Sequence, residues 1–574
     1  MNTGNFDLNG KKFDDYEYER PDMEKLKDQF RELLDKFNAA GTFSVQDEVM
    51  AEINDLRTEF ESMAELVHIR HTANVNDEYY DRENDYIDSV TPIYQGLVHE
   101  YYQALVNSPF KSGLESKWGK QLFRLAHLKL KTFSPEITED LQQENTLASQ
   151  YTKLRSSASI MFEGEERNLS QMDPFLQHRD RDMREKAHRA VAGFFEVNES
   201  RFDEIYDNLV KTRNRIALKL GFKNFVELGY ARLGRSDYDA RMVEGFRKQV
   251  LDYIVPAASR LRERQKERLG LDKLKYYDEP LVFLSGNAVP KGRNEWIVEN
   301  AGRMYRELSP ETDEFFTYMT EKQLMDLVAR KGKAGGGYCT YIGKYHSPFI
   351  FANFSGTSED VDVMTHEAGH AFQIFSSRNY RVPEYLWPTL EACEIHSMSM
   401  EFFAYPWMKL FFGEDETKYK FGHLSGALLF IPYGVLVDEF QQWVYENPEV
   451  SPEDRKRMWR NIERKYLPHR DYEGNGFLER GGYWFRQGHI FTDPLYYIDY
   501  TLAQVCAFQY WRWSMEDMKK AWQSYLTLCR AGGSKSFLEL VELAGLENPF
   551  SEGCIKKSIE PVVEWLEKID DKKL

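Results

Sequence analysis

The sequence predicts a mainly α-helical protein with one small β-sheet set just before its chemical centre. The first observation is helical periodicity. Val243, Phe246, Val250, Leu251 and Ile254 recur at i, i+3, i+7, i+8 and i+11, one face of a helix. Long helices are expected over 23–37, 45–66, 78–107 and 184–220. Pro256 is expected to kink its helix before the charged, solvated run 260–268. The second observation is the contrast at 335–355. Gly335, Gly336 and Gly337 precede an aromatic, β-branched run at Tyr338–Ile342, and Pro348 precedes another at 349–354, which reads as two strands. The third is the lack of a fixed-period repeat, a low-complexity block or a Gly/Ser linker. A length of 574 residues would ordinarily mean roughly 3–4 domains. Here they are expected to meet at packed interfaces.

Composition excludes several partners. With 75 basic and 93 acidic residues the net charge is −18, which argues against tracking nucleic acid or an anionic membrane by bulk charge. Cys339, Cys393, Cys506, Cys529 and Cys554 are odd in number and contain no CxxC, as expected of free thiols in a reducing cytoplasm. Residues 1–26 carry no apolar leader segment. The longest apolar stretch, 426–437, contains Pro432 and is too short for a bilayer. A cytoplasmic protein without a membrane partner is expected.

Residues 366–370 read His-Glu-Ala-Gly-His. On a helix, HExxH sets two imidazoles one turn apart on one face with the glutamate beside them. With 13 histidines in the chain, roughly 0.03 such matches arise by chance. Thr357 and Asp360 read as a capping-box-like start, and Val361, Met364, Ala368, Ala371, Phe372 and Phe375 as apolar faces. Gly369 costs about 1 kcal/mol in a helix interior, which a close backbone approach would explain. Catalytic zinc takes three protein ligands and leaves a place for water. A metzincin needs a glycine and then a histidine at the positions where this chain has Gln373 and Ser376; thermolysin-like spacing falls on Leu390. The segment 388–401 offers better candidates. With Pro388 at the first helical position, Glu391, Glu394 and Glu401 lie on overlapping faces.

A second constellation lies at 488–500. Asp493 and Pro494 read as N-cap and first residue of a helix. Tyr497 and Tyr500 are then i and i+3, and their phenols can donate to an oxyanion without carrying charge. A tyrosine pair alone is more often core, since the chain has 34. The glycine-containing segment 466–485 holds Arg470 and Arg480 and precedes Arg486. It reads as a mobile loop near His489, either a surface turn or a substrate gate.

His366-Glu367-Ala368-Gly369-His370, followed by Glu394-Ile395-His396-Ser397 and Glu401, resembles the M3 family of zinc oligopeptidases. The oligoendopeptidase F and Pz-peptidase branch is nearest, with thimet oligopeptidase a relative, and the resemblance is sharpest over 335–509. The angiotensin-converting enzymes are more distantly similar. The resemblance implies one Zn²⁺ held by His366, His370 and Glu394. Glu391 becomes a carboxylate orienting an imidazole, or an alternative ligand, and His396 a structural residue. It implies Glu367 as general base, His489 and Tyr500 as transition-state donors and Tyr497 as a helper, with the leading tyrosine open. It further implies two helical lobes enclosing a deep channel. Residues 1–200 would form one wall and 201–574 the catalytic lobe, with oligopeptides as substrates. An exposed strand edge in 338–354 could pair with an extended peptide. Two alternatives stand beside this: a peptidyl-dipeptidase or carboxypeptidase anchored by an Arg in 480–486, and a non-catalytic peptide-binding scaffold. The oligomeric state is not implied.

Overall fold

The computed structural model describes residues 11–574; residues 1–10, part of the segment read above as lacking a leader, lie outside the described residues. The protein is mainly α with small sheets, as the periodicity predicts. Helices α1 (Met23–Ala39), α2 (Phe43–Ala73) and α3 (Glu78–Val106) open the chain. Each is capped by the side chain before it: Asp22, Thr42 and Asp77 accept backbone N–H groups of the first turn. Their apolar stripes, with Phe30, Phe37, Ile53, Tyr101 and Leu105, build a core of their own that Val382 and Tyr385 join from far along the chain.

Helix α4 (Thr138–Ser156) leads to the hairpin β1 (Ile160–Phe162) and β2 (Glu165–Arg167), too short to show in the sequence pattern. The predicted helix over 184–220 is two, α5 (Arg181–Val197) and α6 (Glu199–Lys219). Asn198 breaks it, because its side chain donates to the Phe194 carbonyl at 2.9 Å and competes with helix propagation. A five-residue π turn, Val250–Ile254, directly precedes α7 (Val255–Arg268), and Pro256 sits in the first turn of α7.

The expected sheet is present with a third strand. β3 (Met325–Val328), β4 (Tyr338–Ile342) and β5 (Ser347–Phe354) pair in the order β3-β5-β4, parallel then antiparallel. β5 is central and nearly all buried, leaving β4 an outer strand. β3 is only four residues long and has no turn signal to mark it.

The later helices frame the site: α8 (Glu359–Ser377), α9 (Leu390–Phe403), α10 (Glu416–Glu446), α11 (Pro452–Tyr466) and α12 (Ile498–Ala531). Three expected starts shift. Thr357 does not cap α8; Asp360 instead accepts the N–H groups of Ser355 and Gly356 at 2.8 and 2.9 Å, and Ser358 precedes the helix. Pro388 lies before the Thr389 cap of α9. Asp493 and Pro494 do not start α12, because Leu495 is held at φ 67°. Its N–H donates to Gln441 Oε1 at 3.0 Å and its carbonyl accepts from Arg235 Nη2 at 2.8 Å, so tertiary bonds outweigh local capping.

The segment 466–485 is packed rather than a mobile loop. Tyr472, Phe477, Leu478, Trp484 and Phe485 are buried, and Arg470 pairs with Glu279 at 2.7 Å. The apolar run 426–437 lies within a longer helix. An 18-residue window inside Leu390–Glu446 reaches mean hydropathy 1.3, enough by length and composition to cross a bilayer, but 61% of it is buried inside the fold. All five cysteines are free.

α8 and α9 cross at Gly369. A Cβ there would lie 2.6 Å from Ser397 Cα and 2.7 Å from the His396 carbonyl oxygen. That close approach explains the glycine. Gly369→Ala is therefore expected to destabilise by about 1–3 kcal/mol, as overpacking outweighs the gain in helix propensity. Denaturant unfolding checks this; an unchanged or raised stability would refute it.

Candidate active site

Helix α8 carries His366, Glu367 and His370, and α9 carries Glu394 and Glu401. The crossing at Gly369 brings them together. His366 Nε2 and His370 Nε2 lie 3.2 and 3.5 Å from the same oxygen, Glu394 Oε2. Ligand atoms of the three residues all fall within 4.8 Å of one another. Two imidazoles and a carboxylate, converging and largely enclosed, suit a divalent transition-metal ion. Burial opposes ionisation of Glu394, yet the facing imidazoles hold its carboxyl well below the ordinary range. Burial likewise opposes protonation of His366, but hydrogen bonds to Glu394 and Glu401 raise it well above its usual value. The carboxylates of the cluster thus favour positive charge at the place a cation would take.

Glu401, not Glu391, orients an imidazole. Its Oε1 lies 2.6 Å from His366 Nδ1, which leaves Nε2 free to face the cluster. Its Oε2 lies 2.7 Å from His423 Nε2, and Tyr405 Oη lies 2.7 Å from His423 Nδ1. Glu391 points elsewhere: Tyr238 Oη donates to it, and Arg235, bonded to Asp499 at 2.5 Å, approaches it at 3.6 Å. Those desolvated partners draw Glu391 into their own network. Sequence spacing does carry a signal for Glu401, which lies seven residues, two turns, beyond Glu394 on the same face. His396 is buried against Tyr525, apart from the cluster, and burial pushes its imidazole down to about 3.

Glu394 is held from its other side too. Tyr496 Oη donates to Oε1 and Ser397 Oγ to Oε2, the latter at 2.9 Å. Sequence reasoning passes over Tyr496; its only signal is its place in a tyrosine doublet. Glu367 is 6% exposed, and its Oε2 has no hydrogen-bond partner among the described residues. Its Oε1 lies 3.1 Å from where a Cβ of Gly337 would stand, so the glycine makes room for the carboxylate. Burial raises this carboxyl above its usual value.

Across the cluster, His489 Nε2 lies 2.9 Å from Tyr500 Oη. Gln487 Nε2 donates to His489 Nδ1 at 2.9 Å, and Tyr433 Oη donates to Gln487 Oε1 at 3.0 Å. Burial lowers the His489 pKa, so the ring is neutral with its proton on Nε2. Nε2–H then donates to the Tyr500 oxygen and frees the phenolic proton to point elsewhere. Tyr497 sits at the cap of α12 rather than inside it, its ring 5.2 Å from those of His489 and Tyr500. With Glu401, His423 and Phe430, these three line a cavity of 590 Å³. The arrangement can hold a cation, place a partner-free carboxylate beside it and aim uncharged donors from the far wall.

Tyr496→Phe and Glu401→Gln are each expected to weaken metal binding roughly ten- to hundredfold, because each loosens a side chain of the cluster. Tyr497→Phe, at a ring that meets Phe430, Tyr433, His489 and Tyr500, is expected to leave metal affinity unchanged. Titration of the metal-stripped protein checks all three.

Two family models match the chain: Peptidase M3 N-terminal domain over residues 13–133 and Peptidase family M3 over 310–559. A structure of Pz peptidase A with an inhibitor is 62% identical, with a TM-score of 0.97, covering 98% of this chain and 100% of that one. A structure of a putative oligoendopeptidase F is 60% identical, with a TM-score of 0.98 and the same coverage. Oligopeptidase PepF of Bacillus subtilis (strain 168) is 22% identical over 603 residues, covering 96% of this chain and 84% of PepF.

Proposed function

We propose, for a chain that belongs to the peptidase M3 family and is a metallopeptidase, that it is a zinc-dependent endopeptidase of short oligopeptides. The observation that carries this is the convergence of both Nε2 atoms on Glu394 Oε2 beside the partner-free Glu367 Oε2. His366, His370 and Glu394 would hold one Zn²⁺, the usual ion for two histidines and a glutamate, although Co²⁺ or Mn²⁺ could substitute. Bound there, zinc would lower the pKa of water and polarise the scissile carbonyl.

The remaining steps belong to the chain's own residues. Glu367 Oε2 accepts the proton of the attacking water and passes it to the leaving amine. Tyr500, its proton freed by the His489 contact, donates to the developing oxyanion, and His489 holds that phenol in place. Tyr497 lines the same cavity and contacts substrate. The outer strand β4 offers its edge to an extended peptide, and Gly337 keeps that edge close to Glu367. Residues 1–200, whose first helices have their own core, would form one wall of an enclosed channel and 201–574 the other. Free thiols throughout support a cytoplasmic location.

The test is a quenched-fluorescent peptide assay with bound metal quantified. Glu367→Gln should keep its metal and lose roughly 10²- to 10⁴-fold in kcat. Tyr500→Phe should lose roughly 10²- to 10³-fold in kcat with KM little changed. Wild-type activity in Glu367→Gln would overturn the mechanism.

A further inference from the structure

The cations enclosed by this fold are mostly paired. Arg57 meets Glu384, Arg213 and Arg232 share Glu144, and Arg470 meets Glu279. Two guanidinium groups beside the site depart from this, Arg155 half-buried and Arg486 exposed. Among the described residues the Arg155 side chain makes no hydrogen bond or ion pair, and its Nε is shielded from solvent without a partner. Arg486 has no carboxylate partner among them either; its Nη1 donates to the neutral Tyr483 phenol at 3.3 Å. Both line one cavity of 250 Å³, together with Gly336, Gly337 and Asn353.

The placement is specific. Arg155 comes from α4, yet its guanidinium carbon is 3.8 Å from where a Cβ of Gly335 would stand, and its Nη1 is 3.5 Å from that of Gly488. It therefore fits between the glycine run ahead of β4 and the residue before His489. Gly337, in the wall of the same cavity, touches Glu367. A peptide laid along β4 past Glu367 would run toward this cavity, whose wall includes Gly336 and Gly337.

We propose that Arg155 and Arg486 form a carboxylate-binding subsite, so that the enzyme selects oligopeptides presenting a carboxylate a short distance from the scissile bond. This rests on the peptidase reading above. A guanidinium takes a carboxylate through paired N–H donors, a fit that an amide or a lysine does not reproduce. Three acidic residues, Asp173, Glu359 and Asp360, share the wall with the two arginines. Asp360 is taken by the Ser355 and Gly356 N–H groups. Burial pushes the Asp173 and Glu359 carboxyls up to about 8 and about 7, against the opposing pull of Arg486 on both and of Arg155 on Asp173. Neither is then fully ionised near neutral pH.

The carboxylate can be the peptide's C-terminus or an Asp or Glu side chain, and three peptides of one sequence separate these. One has a free C-terminus, one is amidated, and one keeps the free terminus with its single Glu changed to Gln. Calorimetric titration of the metal-loaded Glu367→Gln enzyme should show roughly ten- to hundredfold weaker binding of whichever peptide lost the recognised group. Arg155→Met and Arg486→Met in that background should erase the difference, and Arg155→Lys should keep part of it. If Glu367 is not the base, product accumulates during the titration, and the same preference is read as a ratio of kcat/KM values. Binding of all three peptides within twofold, or a preference that survives both Met variants, would overturn the proposal. Loss of affinity for all three peptides alike in Arg155→Met and Arg155→Lys, with a lowered Tm, would assign Arg155 a packing role and overturn it as well.

Discussion

Everything at the site depends on how closely α8 and α9 pass. With no side chain at Gly369, the α8 backbone comes within contact of Ser397 Cα and the His396 carbonyl. Helices separated by ordinary side chains run about 8–10 Å apart. At such spacing Glu394 would stand further from the two imidazoles of α8. One residue without a Cβ thus sets the position of three charged or chargeable groups. The helix-propensity cost at that position is small beside what the contact positions.

The crossing alone would leave costly buried charge, and each group is answered by a further partner. Glu401 and His423 back His366, while Tyr496 and Ser397 back Glu394. Beneath them Arg235, Asp499, Tyr238 and Glu391 tie the start of α9 to the start of α12. Desolvation penalises an unpaired charge far more than it penalises a satisfied network. Glu367 Oε2 and Arg155 Nε are among the enclosed polar atoms that have no hydrogen-bond partner among the described residues, one beside the cluster and one a cavity away.

What can be read from the sequence is whatever a local period encodes. HExxH, the glycine within it, the tyrosines one turn apart and the aromatic strands after the glycine run all show at short range. Glu391 takes a different partner from the expected one because spacing along α9 cannot distinguish a carboxylate facing α8 from one facing Arg235. Glu401 and Tyr496 escape for the same reason, since both act across helices. The start of α12 moves because Gln441 and Arg235, distant in sequence, bind the Leu495 backbone more strongly than Asp493 could cap it. Asn198 breaks a helix that periodicity alone would continue, through a side-chain bond that propensity only hints at.

The division between uncharged and charged donors follows from the same electrostatics. Where a metal ion and a developing oxyanion share a few ångströms, an added cation would repel the metal and favour its loss. Tyr500 and a neutral His489 present dipoles instead, and burial keeps both uncharged at neutral pH. Such dipoles strengthen their hold as negative charge appears and cost no reorganisation. The guanidinium groups of Arg155 and Arg486 stand one cavity away, beyond Gly337, where they do not compete with the metal for its ligands. On the proposed reading, charge placed there would act equally on bound substrate and transition state, and so would govern which peptide enters. Charge-free donors beside the reacting carbonyl would govern how fast that peptide is cut.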